Sequence, residues 1–229
     1  MKQLNRDGVP PLDALPQPRA LATSDLDDLD DATTVIDARP GREDFMQGHL
    51  PGALYAPFGK SFPTVAGSYA DPDQPVVLVI EEEHVEAATR SLVRVGLDRV
   101  EGYATPEVLT DYAEAGETLD AIPMTDMEGM QSKRGDENTQ VVDVRSMTEH
   151  RAGHVPGTLL APHTRLPEQT GDLPAGKTLL VHCGSGLRAS SAASLLDARG
   201  FDVVHVNDAF SNWSEAHADE VKKGDDDAA

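Results

Sequence analysis

Thr178-Leu179-Leu180-Val181-His182-Cys183-Gly184-Ser185-Gly186-Leu187-Arg188, followed by Ala189-Ser190-Ser191-Ala192-Ala193-Ser194-Leu195-Leu196, decides how this chain is read. The apolar run Thr178 to Val181 has the length and continuity of a buried strand, and Ala189 to Leu196 reads as a helix packed beneath it. The turn between them carries the single cysteine of the sequence. A strand that hands a thiol to a loop opening a helix places sulfur where backbone N–H groups and the positive helix end converge, a setting for an anion. Gly184 and Gly186 let the backbone fold around Cys183, because glycine tolerates left-handed dihedrals and leaves no side chain in the cradle. Arg188 closes the loop with a fixed positive charge. Free cysteine is often a buried structural residue. Here two loop glycines, a terminating arginine and a helix start single out Cys183 as the catalytic nucleophile, with Gly184, Ser185, Gly186, Leu187 and Arg188 as its substrate-binding loop. His182, on the strand before the loop, reads as a packed core residue rather than a general base.

Outward from that loop, the chain repeats itself. Val35-Ile36-Asp37-Ala38-Arg39 is matched by Val141-Val142-Asp143-Val144-Arg145, 106 residues later. Gly48-His49-Leu50-Pro51-Gly52-Ala53 is matched by Gly153-His154-Val155-Pro156-Gly157-Thr158 at a distance of 105. Each copy opens on a helix-start signal, Ser24 before Asp25 or Thr125 before Asp126. A strand ending in Asp-x-Arg and a Gly/Pro turn follow. The next strand is Val76 to Ile80 in the first copy and Thr178 to Val181 in the second. A helix ends at Gly96 or Gly200, the usual C-cap position, and the last strands are Arg99 to Glu101 and Asp202 to Val206. Strands alternating with helices imply parallel pairing through right-handed crossovers, hence an α/β fold with a doubly wound sheet flanked by helices in each copy. Ligands in such sheets sit beyond the carboxyl ends of the strands, where Cys183 falls.

The loop and the two repeated elements together resemble the rhodanese family of sulfurtransferases, over roughly residues 20 to 215. Cysteine-dependent phosphatases share the strand-Cys-loop-Arg-helix plan with one residue more between Cys and Arg, whereas here there are four. The Cys-Gly-Ser-Gly opening is similar to the loop of mercaptopyruvate sulfurtransferases, and the Arg188-Ala189-Ser190 ending to thiosulfate- and persulfide-handling relatives. Met1-Lys2-Gln3-Leu4-Asn5 with Gly8 and Pro10-Pro11 resembles the tail of a metallo-β-lactamase-fold domain in fusions of a persulfide dioxygenase with rhodanese domains. The resemblance implies a tandem rhodanese in which Cys183 accepts sulfane sulfur as a persulfide. The donor is a small molecule (thiosulfate, mercaptopyruvate or a low-molecular-weight persulfide), the acceptor is a thiol or cyanide, and no cofactor is needed. It also raises a persulfide dioxygenase as partner, and with it a second reading as a non-enzymatic persulfide carrier or docking module. Phosphatase or arsenate reductase chemistry is a third reading, opposed by the short loop.

The first copy has Glu81-Glu82-Glu83-His84-Val85 after its strand, with no cysteine, glycine cradle or arginine, so it reads as catalytically inactive. Three carboxylates at a helix start suit the helix dipole and repel an anionic donor. Adjacent carboxylates usually mark a solvated face, so these residues are not assigned a metal and no metal site is expected. Asp37, Arg39, Asp143 and Arg145 read as structural ion pairs at strand ends, and His49 and His154 as turn residues bonded to backbone. Trp213 stands where rhodaneses often carry a Gly-Gly-x-x-x-Trp turn, here with Asp208-Ala209 in place of the glycines. The expected organisation is an extended arm over 1–20, an inactive domain over 21–104, a linker over 105–121 able to form a short helix, an active domain over 122–215 and a disordered acidic tail over 216–229.

Composition limits the partners. The sequence has 229 residues, 39% hydrophobic and 26% charged, in the range of a globular protein. No apolar run approaches the roughly 20 residues of a membrane span. The N-terminus shows no signal core and one cysteine fits a reducing compartment, so a cytoplasmic location is expected. The 19 Lys and Arg against 40 Asp and Glu give a formal charge of −21. Such a surface argues against nucleic acid and anionic membrane as partners, and resembles proteins of salt-loving organisms. At physiological salt the Debye length is about 8 Å, so most of those carboxylates are screened from the loop. A unit charge about 4 Å away is worth on the order of 4 kcal/mol at an effective dielectric of 20, so groups beside Cys183 dominate its field.

Overall fold

A computed structural model describes residues 14–224. The stretch Met1 to Pro11 that resembles a dioxygenase tail lies outside them, as does the end of the acidic tail. The chain divides into two compact units between Ala121 and Ile122. The first contains β1 (Arg19–Ala20), β2 (Thr34–Asp37), β3 (Leu54–Tyr55), β4 (Val76–Val79) and β5 (Val100–Ala104). These form one sheet in the order β1-β5-β4-β2-β3. The second contains β6 (Met124–Thr125), β7 (Thr139–Asp143), β8 (Leu159–Leu160), β9 (Thr178–His182) and β10 (Val203–Val206), in the order β6-β10-β9-β7-β8. All pairings within both sheets are parallel. Each unit is therefore an α/β domain with a five-stranded parallel sheet and flanking helices, the fold class expected from the sequence.

The strands form where the sequence is continuously apolar. Val76 to Val79 are buried along their whole length, as are Leu179 to His182, which a parallel sheet covered by helices on both faces requires. The helix Leu187–Ala198 is buried on nearly every side, from Ala189 to Leu196. Its small side chains permit close approach to the sheet, and Ser190 and Ser194 return their hydroxyls to the carbonyls of Leu187 and Ser191 at 2.7 and 2.8 Å. On the sheet's other face Met127, Met130, Val141, Val155, Leu180, Val204, Val206 and Trp213 form one apolar cluster. Trp213 donates its indole N–H to Gln131 at 2.9 Å.

Several boundaries differ from the sequence reading. Arg19–Ala20, placed within an extended arm, pairs with Gly102 and Tyr103 as an edge strand. Residues 105–121, read as a linker able to form a short helix, do carry one, Pro106–Glu114, but it is packed rather than linking: Leu109 and Tyr112 are buried and the Tyr112 hydroxyl bonds to Asp27 at 2.9 Å. Asp120 then bridges back to His49. The tail expected to be disordered from 216 onward is ordered through 224. Arg134 pairs with Glu220, and Lys222 bridges back to His154. The two segments are the same element in two copies: a helix, then a return strand that closes on the His turn through one backbone bridge. The first carries a short apolar period, Val108-Leu109 and Tyr112-Ala113, whereas the second, after Ala216, is mostly polar. The helix starts also shift. Asp126 rather than Thr125 caps Met127–Lys133, its carboxylate accepting from the Gly129 N–H at 2.7 Å, and Ala22 precedes Thr23–Asp27, with Asp25 reaching back to the Ala22 N–H at 2.7 Å.

Candidate functional site

The central strand β9 ends at His182, and Cys183 follows at the carboxyl edge of the sheet. Gly186 has φ +85° and stands immediately before the helix Leu187–Ala198; the left-handed dihedral is what turns the chain into that helix, and a side chain there would strain it. Ser185 and Leu187 face solvent, while Cys183 has no exposed surface. Two contacts from neighbouring elements brace the loop. His205 on β10 donates Nε2–H to the Gly186 carbonyl at 2.9 Å, and the Phe210 N–H bonds to the Gly184 carbonyl at 3.2 Å. Asp208, standing where a glycine is usual, accepts from the Met127 and Ala209 N–H groups at 3.2 and 2.7 Å. That side chain ties the turn to the start of the helix Met127–Lys133.

Arg188 reaches Glu149, a residue the sequence reading did not select. Its two terminal nitrogens donate to the two carboxylate oxygens at 2.7 and 2.6 Å. Glu149 is held in place by its own helix start: the Ser146 hydroxyl accepts from the Glu149 N–H at 3.3 Å, and Glu149 accepts from the Ser146 N–H at 3.1 Å. This capping box is legible as Ser146-x-x-Glu149, but its distant partner is not. The Arg188 hydrogen bonds, joined by those from Ser146, outweigh partial burial and lower the Glu149 carboxyl to about 2. Gly184 makes room for the pair, since a Cβ there would lie 3.0 Å from the Arg188 guanidinium.

Behind the loop lies a buried polar network. Asp143 binds Arg145 through both oxygens, with Nη2 at 2.6 Å and Nε at 2.9 and 3.0 Å. His150 donates Nδ1–H to it at 3.0 Å, and His182 is its cross-strand neighbour. Burial alone would raise the Asp143 carboxyl, yet His150, His182 and Arg145 together hold it well below the ordinary range. Arg145 also bonds to the Gly153 carbonyl at 2.9 Å and lies 3.8 Å over the Phe210 ring. His154 donates Nδ1–H to the His150 carbonyl at 3.0 Å and stacks on the His150 ring at 3.9 Å. His182 is fully enclosed beside Phe210, and burial lowers it to about 4, so the ring is neutral at ordinary pH.

His163 also escaped the sequence reading. It opens a short 3₁₀ turn after β8, anchored by its N–H to the Val144 carbonyl at 3.1 Å. Burial first, and the nearby Arg188 second, lower its pKa, with Glu149 opposing. Its Nδ1 is buried without a hydrogen-bond partner. No motif in the sequence around it announces this placement.

The first unit repeats the frame without the cysteine loop. Asp37 binds Arg39 at 2.7 Å, and Arg39 reaches the Gly48 carbonyl at 2.7 Å. His49 donates to the Phe45 carbonyl at 2.8 Å and stacks on Phe45 at 4.0 Å. Asp37 pairs in register with Val79, as Asp143 does with His182. Ile80 therefore occupies the place of Cys183, and Glu81 to Glu83 follow in place of the glycine loop. Among the described residues no group of three or more His, Cys, Asp or Glu side chains is arranged to hold a metal ion, and no helix is long and apolar enough to cross a membrane.

The chain is 26% identical over 118 residues to YrkF of Bacillus subtilis (strain 168), named as a candidate sulfur carrier protein, covering 48% of this chain and 64% of that one. It is 25% identical over 88 residues to the thiosulfate sulfurtransferase GlpE of Pseudoalteromonas translucida (strain TAC 125), covering 38% of this chain and 84% of that one. Among solved structures, a thiosulfate sulfurtransferase from Pseudomonas aeruginosa matches 90% of this chain and 45% of its own at 21% identity and TM-score 0.39. A rhodanese-like domain protein from Staphylococcus aureus matches 45% of this chain and 99% of its own, at 21% identity and TM-score 0.41. The rhodanese-like domain model matches twice, over residues 22–109 and 126–216, so the chain belongs to the rhodanese-like family and carries two such domains in tandem.

Proposed function

We propose that the second domain is a sulfurtransferase in which Cys183 takes sulfane sulfur from a small-molecule donor and passes it, as a persulfide, to a thiol or cyanide. The observation that carries this reading is the placement of Cys183 between the end of the central strand and a glycine turn that starts a helix. A persulfide anion there meets the N–H groups of residues 184 to 188 and the positive helix end. Sulfurtransferase names among the distant relatives support the same reaction class. Ser185, exposed at the turn, supplies a hydroxyl to the donor, and the first domain takes no part in the chemistry. The short gap from Cys183 to Arg188 and the absence of a carboxylic acid in the loop favour sulfur over phosphoryl transfer.

Turnover with thiosulfate, mercaptopyruvate and glutathione persulfide, each with cyanide or a thiol as acceptor, tests this against an aryl phosphate. Sulfur transfer without phosphate release is expected; phosphate release without sulfur transfer overturns the reading. The complete burial of Cys183 favours one second reading, a carrier that loads once and unloads only to a docked partner such as a persulfide dioxygenase. Single loading with no turnover on any free acceptor, relieved by that partner, would decide for it.

A further inference from the structure

We propose, resting on the sulfurtransferase reading, that Glu149 sets the donor class, so that the site takes an organic persulfide in preference to oxyanionic donors such as thiosulfate. The one cation that closes the Cys183 loop is already spent within the protein. Both terminal nitrogens of Arg188 are engaged by the two oxygens of Glu149 at 2.7 and 2.6 Å, and the capping box with Ser146 fixes that carboxylate from behind. The pair carries no net charge. The next carboxylate acting on Arg188 is Asp143, which Arg145 and His150 occupy at 2.6 and 3.0 Å. Arg145 is enclosed under Phe210, and the other titratable groups acting on the pair are Cys183 itself, on Arg188, and His163. What the loop itself presents to solvent is the Ser185 hydroxyl and the Leu187 side chain, the latter 41% exposed.

Donors differ in what they ask of such a site. Thiosulfate releases sulfite, whose charge grows on oxygen as the S–S bond breaks and calls for an unoccupied cation. A persulfide R–S–SH releases a thiolate and has no oxyanion at the reacting end. In the persulfide reaction the Cys183 thiolate attacks the outer sulfur and the Cys183–S bond forms as the donor S–S bond breaks. R–S⁻ departs with the bonding electron pair, and the proton of the terminal SH moves to it, leaving the Cys183 persulfide anion and R–SH. No oxidant, reductant or metal enters this balance. The neutral Arg188–Glu149 pair and exposed Leu187 suit that exchange, whereas thiosulfate must displace Glu149 or react without its guanidinium.

The test measures the rate of sulfur loading onto Cys183 from glutathione persulfide and from thiosulfate, each divided by its rate with a free thiol. The wild-type protein is expected to favour the persulfide by about tenfold or more, and Glu149→Gln, which frees the Arg188 charge, to shift that ratio toward thiosulfate by about tenfold, the scale of one charge-assisted hydrogen bond. Glutamine can keep the capping box with Ser146, and the wild-type ratio stands as a test even if the variant folds poorly. Equal normalised rates in the wild-type protein, or an unchanged ratio in folded Glu149→Gln, overturn the assignment to Glu149. Loading from neither donor instead overturns the sulfurtransferase reading beneath it.

Discussion

The two domains are one frame with two different strand ends. Both place an Asp-x-Arg pair at the end of the strand next to the centre, both stack a His on the residue four positions before it, and both close that His turn with a returning backbone bridge. They part at a few positions. Cys183, with a glycine turn and Arg188 after it, corresponds in position to Ile80 with Glu81 to Glu83. His150 corresponds to Phe45, and His182 to Val79. The consequence is visible in the buried aspartates. With only Arg39 and a distant His49 to offset burial, Asp37 is raised above the ordinary carboxylate range. Asp143, with two imidazoles added, is lowered. The frame is thus common to both domains, and the loop set on it is not. What distinguishes the second domain is the thiol loop in front and a more polar support behind it.

The comparison breaks most directly at the thiol. Cys183→Ser is expected to abolish sulfur transfer altogether, because no other thiol exists in the sequence, and steady-state turnover with the best donor measures it. Next in size, Arg188→Ala strips the loop of its cation and leaves the Glu149 carboxylate unpaired beside it. Donor use should fall by about tenfold to a hundredfold, read as kcat/KM. A fall smaller than about threefold would leave the Arg188–Glu149 pair with no part in holding the donor site.

The aspartates sharpen the comparison through stability. Asp143→Asn breaks a buried charged network and should cost about 3–5 kcal/mol, while Asp37→Asn should cost less, because burial already disfavours its charge; denaturant unfolding of each variant compares them. The pH dependence has opposite signs. A lowered carboxylate such as Asp143 or Glu149 contributes stability that is present above the unfolded pKa and lost as pH falls, for Glu149 through about 2. The raised Asp37 favours the folded state most when protonated, and that contribution fades as pH rises through its folded pKa. Asp143→Asn should therefore lie closer to wild type in acid than at neutral pH. The smallest effect expected is from Ile80→Cys in a Cys183→Ser background: a thiol at the first strand end, without glycines or arginine, should take up no sulfur. Uptake there would show that the frame alone suffices.

The sheet and the thiol loop were legible because they rest on local signals: apolar runs of strand length, a repeat at nearly constant spacing, and glycines where the backbone must reverse. The supporting contacts were not. Glu149 and Arg188 are 39 residues apart, and no spacing rule joins a helix cap to a loop on another strand. Glu149 shows in sequence as a capping residue and nothing more. The short helix within 105–121 is legible, but its packing onto the first domain is not, and 216–224 looks like a tail. Each segment is fixed by one backbone bridge to a distant turn, which no local signal announces. His150 reads as a helix residue until β7 brings Asp143 beside it.

Everything proposed for the second domain turns on Cys183 carrying a sulfur atom. The direct measurement is the mass of the intact protein after incubation with glutathione persulfide, thiosulfate or mercaptopyruvate and removal of the donor, for the wild type and for Cys183→Ser. The prediction is one added sulfur atom on the wild-type chain from at least one donor, mapped to the Cys183 peptide, and none on the variant. No addition from any donor, or equal addition to the variant, would contradict it.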